Sequence, residues 1–247
     1  MANPVEQFIP KTLIPLQVGG FDVSFTNSAL MMVTAVVLVT VFMVAAMSPK
    51  SVVPGRWQSL AEVMYEFVAN MLRENVGHGG RPYFPFIFTL FMFVLLGNVL
   101  GLFPIPELGF AFTSHIVVTF ALAAVVFVGV TLIGLFKHGF KFFHLFFPSG
   151  APAVSAVILI PIEIISYLSR PMSLSVRLFA NMTAGHIILK IFAGFVVTLG
   201  AFYVVPGVIP FAVTAAVTLL EIGIAMLQAY VFAALSCIYL NDAIHLH

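Results

Sequence analysis

The sequence predicts an all-α polytopic membrane protein of about five membrane helices plus one amphipathic surface helix. The last two membrane helices are expected to be long and strongly tilted, as an antiparallel hairpin. Three observations carry this reading. Of 247 residues, 62% are hydrophobic and 8% charged, and the mean hydropathy is +1.15; a soluble domain needs about 25% charged residues to cover its surface. Several apolar runs reach the roughly 20 residues that span a ~30 Å hydrocarbon core. Two of those runs are far longer than a single crossing requires. A formal net charge of +1 carries no information about partners; no nucleic acid is expected. The one cysteine, Cys237, sits in an apolar run and reads as a small packing residue; it excludes a disulfide within the chain.

Residues 1–27 read as an extramembrane segment. Glu6, Asp22 and several prolines precede any long apolar run, unlike the basic-then-apolar pattern of a secretory leader. The first span is Ser28–Met47, ended by Ser48-Pro49-Lys50. Residues 57–76 differ in kind. Leu60, Val63, Met64, Phe67, Val68, Met71 and Leu72 recur at helical spacing, while Gln58, Glu62, Glu66, Asn70, Arg73 and Glu74 take the other face. That pattern is an amphipathic helix lying on the membrane surface.

Further spans follow at Tyr83–Phe103, Thr113–Phe136, Ala153–Val205 and Val208–Leu240. A helix of about 45 residues reaches about 68 Å, over twice the bilayer core, so the last two must tilt, kink or run partly along the membrane. Pro161 and Pro171 offer kink points in residues 153–205. Lys50, Arg56, Arg73, Arg81, Lys137 and Lys141 cluster in two connections, whereas 104–112 and 200–210 carry no Lys or Arg. The positive-inside rule puts the basic connections and the C-terminus inside and the N-terminus outside. The whole of 1–247 reads as one membrane domain, with 153–240 as its long helical hairpin.

Ionisable residues in this hairpin are the candidates for function. Glu163, Arg170, Arg177, His186, Lys190 and Glu221 all fall within it. An arginine at mid-membrane costs about 2.5–3.5 kcal/mol on insertion scales and marks a functional site by default. Internal ion pairing or snorkelling accounts for Lys190 and Arg170 but poorly for Arg177. Glu163 lies about 21 Å away along the helix. With the turn near Phe202–Gly207, facing residues have numbers of constant sum, which sets Arg177 beside Gln228 and His186 beside Glu221. Arg177 then has an amide neighbour but no carboxylate in its own chain, so its counter-charge comes from another polypeptide. Glu163, Arg170, Arg177 and Ala184 repeat every seven residues, with Ser166, Ser173 and Asn181 close to that stripe. His186 lies on the opposite face, so stripe and His–Glu pair suggest two separate aqueous routes.

The segment Ser-Leu-Ser-Val-Arg-Leu-Phe-Ala-Asn-Met-Thr-Ala-Gly-His at 173–186 resembles the signature of the a subunit of F-type ATP synthases. The resemblance extends to residues 96–106 around Asn98, to the surface helix and to Leu-Gln-Ala-Tyr-Val-Phe at 227–232, and so covers most of the chain. It implies that Arg177 is the essential arginine facing the rotor, with Asn181 and Gln228 as polar neighbours. Glu163 and Ser166 would line the cytoplasmic half-channel, and His186 and Glu221 would form the proton relay of the opposite one. Many bacterial members carry Glu and His at these two relay positions in the reverse order; the exchange keeps one imidazole facing one carboxylate.

The implied partners are the carboxylates of the rotating c-ring, the subunit b stator stalk, the other subunits of the complex and the lipid bilayer. No cofactor is implied. His245, His247 and Asp242 are zinc ligands by type, but they end the chain, and a metal-free relay suffices. No phosphate-binding Gly-x4-Gly-Lys-Ser/Thr loop occurs, so ATP chemistry belongs to other subunits and the chain is no enzyme alone. The expected setting is a bacterial inner membrane rather than a mitochondrial one, with protons favoured over sodium. The rival reading, a stand-alone secondary transporter holding an anionic substrate on Arg177, lacks the inverted repeats of such folds. Haem binding is weaker still, since the seven histidines are not paired within facing spans; His115 and His144 read as interfacial or satisfied polar residues.

Overall fold

Hydrocarbon offers no partner to a backbone amide, so a chain this apolar must satisfy its hydrogen bonds within each segment and therefore coils into helices. The computed structural model describes residues 11–15, 17–18, 21–22, 24–48, 53–102, 111–146, 153–200 and 204–245, with side chains undescribed at 18, 21–22, 143–146, 153–157, 199–200 and 204–207. Expectations placed on residues 1–10, Lys50, Phe103, the 104–110 turn, 201–203, the His144 side chain and His247 fall outside those described.

Six α-helices follow in order. They are α1 (Asn27–Met47), α2 (Arg56–Val76), α3 (Phe84–Leu102), α4 (Ile116–His138), α5 (Ala153–Gly200) and α6 (Val204–Ile244). Each lies within a few residues of a segment read from the sequence. Five stretches are long and apolar enough to cross a membrane, α2 and α3 falling within one of them. α5 has 48 residues and α6 has 41, about 72 Å and 62 Å of helix. Pro161 and Pro171 sit inside α5 without ending it.

The sequence reading found no strands. Ahead of α1, β1 (Thr12–Ile14) pairs antiparallel with β4 (Phe25–Thr26), and β2 (Gln17–Val18) with β3 (Phe21–Asp22). Pairings of two or three residues are too short for a period-two pattern to register. The ribbon leads into α1, where the Asn27 side chain accepts hydrogen bonds from the amides of Lys11 (3.2 Å) and Ser28 (2.9 Å).

On α2 the apolar band divides in two. Ala61, Val68, Met71, Leu72 and Val76 are buried, whereas Trp57, Leu60, Val63 and Phe67 stay exposed. A helix that buries one edge of its stripe and shows the other to lipid fits the interface plane. Its end is set by Gly77, whose φ of 72° lies in the left-handed region and whose amide caps the carbonyl of Arg73. A 3-10 turn, Gly77–Tyr83, then leads into α3.

The chain divides into two compact units, one of residues 1–44, 92–115 and 178–229, the other of 45–91, 116–177 and 230–247. In the first, the amide of Asn98, fully buried on α3, donates to the carbonyl of Ala225 on α6 at 3.2 Å. Gly97 leaves room for the Phe112 ring, which a Cβ there would strike. In the second, polar pairs cross between apolar helices. The Tyr167 and Thr131 hydroxyls are 2.7 Å apart, those of Thr119 and Ser175 3.1 Å, and His138 Nε2 meets the Ile244 carbonyl at 3.0 Å. Arg170 binds Asp242 at 2.9 Å, with its guanidinium over the rings of Tyr167 and Tyr239. Arg170 is thus engaged by its own chain and does not continue an open stripe through Arg177.

Candidate functional site

Two polar pairs connect α5 and α6 within the first unit. His186 Nδ1 lies 3.0 Å from Glu221 Oε1, and Asn181 Nδ2 donates to Gln228 Oε1 at 2.8 Å. Both pairings run antiparallel, α5 numbers rising as α6 numbers fall. Glu221 and Gln228 are almost wholly buried. The amide partner of Gln228 is Asn181, one helical turn beyond the position of Arg177.

The His186 ring is held on both sides. Nε2 meets the carbonyl of Gly101 at 2.9 Å, and Nδ1 meets the carbonyl of Met182, one turn back on α5, also at 2.9 Å. Gly101 belongs to the last described turn of α3. Carbonyls only accept, so both ring nitrogens face acceptors, and Glu221 Oε1 stands 3.0 Å from Nδ1 as a close neighbour. Both Glu221 oxygens are buried without a hydrogen bond among the described residues.

Gly185 makes the approach possible. A Cβ there would lie 2.5 Å from Glu221 Oε1 and 2.9 Å from its Cδ. Gly185 is the clearance for the carboxylate. Gly185→Ala should therefore displace Glu221 while leaving the chain inserted, at a cost of about 1–3 kcal/mol for overpacking. Proton pumping by membrane vesicles driven by ATP should fall about tenfold or more at unchanged protein level. Undiminished pumping would show that the carboxylate need not stand where it does.

Other polar atoms gather nearby in this unit. Thr183 Oγ1 donates to the Ser114 carbonyl at 3.4 Å, and Ser114 Oγ donates to the Ala111 carbonyl. Asn98 Oδ1, Thr113 Oγ1 and Gln228 Nε2 are buried without a hydrogen bond among the described residues. His115, just before α4, is a bystander; burial pulls its imidazole below the ordinary range, which keeps it neutral.

The remaining sequence candidates lie along α5. Arg177 is exposed, and among the described residues it has no hydrogen-bond or ion-pair partner. Ser173, Ala180, Asn181 and Ala184, at helical spacing from it, are exposed too. Glu163 is half-buried and Ser166 exposed; the Ser166 carbonyl accepts from Ser169 at 2.7 Å. Among the described residues no cluster of three His, Cys, Asp or Glu could hold a metal ion. Asp242 is taken by Arg170 and His245 by Asn241. The Gly101 and Met182 carbonyls and the Arg170–Asp242 pair escaped the sequence reading.

An imidazole facing a carboxylate between two helices of membrane length is the kind of buried ionisable pair found in polytopic membrane proteins that handle protons. The family described as ATP synthase A chain matches residues 29–241. Similar chains are the ATP synthase subunit a of Paramagnetospirillum magneticum, 65% identical over the full length of both, and that of Rhodospirillum rubrum, 60% identical over the full length of both. That of Mesorhizobium japonicum is 54% identical over 98% of this chain and 96% of its own. The chain belongs to the ATP synthase A chain family, the proton-channel subunits of the membrane sector of ATP synthase. It is a non-catalytic, multi-pass subunit of that complex in the bacterial inner membrane, and the rival transporter reading is not favoured.

Proposed function

We propose that this chain is the stator wall against which the carboxylates of a rotating c-ring pass, with Arg177 as the fixed cation they meet. The observation that carries this is an exposed arginine in a membrane helix with no partner among the described residues. A cation costs too much there to stand uncompensated, and a moving carboxylate from another polypeptide would compensate it. Arg177 would favour the ionised form of each arriving carboxylate, since an opposite charge lowers its pKa. It would also repel a proton attempting to cross directly between the two half-channels. A membrane potential supplies about 2.3 kcal/mol per charge per 100 mV.

In this reading Glu221 takes up a proton on one side, because its buried oxygens are free to receive it. His186, held by the carbonyls of Gly101 and Met182, sets the field around it. Gln228, two turns from Glu221 along α6, and its partner Asn181 on α5 orient the polar route toward the ring, and Gln228 Nε2 and Asn98 Oδ1, buried without a hydrogen bond among the described residues, suit a hydrated path. Glu163 and Ser166 line the cytoplasmic half-channel. Subunit b is the proposed stalk partner.

Cysteine crosslinking tests the ring-facing surface. Ser173→Cys and Ala184→Cys, exposed and on the Arg177 side of α5, should link to the carboxylate-bearing helix of the ring in the assembled enzyme. Leu168→Cys, exposed but about half a turn round the helix, should not. The reverse pattern would put the ring elsewhere.

A further inference from the structure

The second unit holds a cavity of about 530 Å³ where α2 turns into α3, lined among others by Tyr65, Asn70, Arg73, His78, Arg81 and Phe84. We propose that it binds the phosphodiester headgroup of an anionic phospholipid from the cytoplasmic leaflet. The volume falls within the about 300–1,000 Å³ range of small-molecule sites. Arg73 and Arg81 are exposed, and among the described residues neither has an ion-pair partner. Among the described residues no carboxylate lines the cavity. Glu62, Glu66 and Glu74 belong to α2 but do not reach it, and Glu62 is hydrogen-bonded to Gln58. Two guanidinium forks and the donors of His78 and Asn70 therefore face one space, the donor set that phosphate oxygens accept.

Depth and wall chemistry favour a lipid over a free anion. The rings of Tyr65 and Phe84 are in contact, with centroids 4.6 Å apart, and close one side with apolar surface. Aromatic residues of this kind mark the level of the headgroups. α2 shows lipid-facing apolar residues such as Val63 and Trp57, and the next helix, α3, enters the membrane. A headgroup in the cavity would keep its glycerol and acyl chains beside these surfaces. The basic connection lies on the inner side, where anionic lipid concentrates and juxtamembrane basic residues gain attraction. Gly77, with its φ of 72°, lines the same cavity as Arg73 and Arg81.

The test uses the assembled enzyme in phosphatidylcholine vesicles doped with a photoactivatable phosphatidylglycerol bearing its crosslinker at the headgroup. Label should appear in the 65–85 peptide and be displaced by unlabelled phosphatidylglycerol, but not by phosphatidylcholine or inorganic phosphate. Arg73→Gln with Arg81→Gln should weaken retention about thirtyfold, as two surface arginines imply. Competition on the unaltered enzyme decides the matter even where that variant fails to assemble. Equal labelling by a phosphatidylcholine probe, or displacement by inorganic phosphate, would overturn the lipid assignment. So would labelling that appears only after other subunits are stripped away, because the cavity would then belong to a protein partner.

Discussion

Arg177→Ala should abolish coupled ATP synthesis while leaving the protein inserted at its normal level. The two halves of that result rest on different observations. Arg177 is exposed, and among the described residues it has no partner in its own chain, so removing it orphans nothing. Such substitutions usually change stability by no more than about 0.5 kcal/mol. The functional loss should be large, because a preorganised charge in a low-dielectric site is worth about 10²–10³ in rate when removed. Arg177→Lys should fail as well. A compact ammonium lacks the planar fork that meets a carboxylate through two parallel donors, and it holds its proton less securely. ATP synthesis and ATP-driven pumping in inverted vesicles read the loss, and immunoblots read insertion. Normal pumping in either variant would remove Arg177 from its proposed role.

The features legible in the sequence were those that repeat or that cost energy. Periods of apolar residues gave the helices to within a few positions, and the amphipathic stripe from Leu60 to Leu72 separated α2 from the crossing helices. The meeting of His186 with Glu221 followed from one assumption, a single turn joining two antiparallel helices. That argument resolves facing residues only to about one turn, and the amide partner of Gln228 proves to be Asn181. Arg170 shows a second limit. Its seven-residue spacing from Arg177 suggested a shared face, but its counter-charge, Asp242, stands 72 residues away, a distance no local pattern spans. Main-chain ligands were invisible for a different reason. The Gly101 carbonyl that meets His186 belongs to the backbone, and no side chain advertises it.

Exchanging the members of the buried pair tests whether they act as one unit. His186→Glu alone should reduce proton flow by about 10²–10⁴, the range typical of losing a positioned acid–base group. It brings two carboxylates together and aims one of them at the carbonyls of Gly101 and Met182, which cannot donate. Glu221→His alone should be comparably damaging, since it sets two imidazoles face to face and removes the carboxylate that stands 3.0 Å from His186. The double variant restores one imidazole and one carboxylate and should recover part of the flow, with a coupling of about 1–3 kcal/mol, as found for residues in direct contact. Full recovery is not expected. A carboxylate at 186 still meets the two carbonyls, and an imidazole at 221 must fit the clearance that Gly185 leaves for a smaller group. Passive proton conduction through the membrane sector, measured in vesicles stripped of the catalytic head, gives the readout. Losses that simply add would mean that the 3.0 Å contact between His186 and Glu221 plays no part in moving protons.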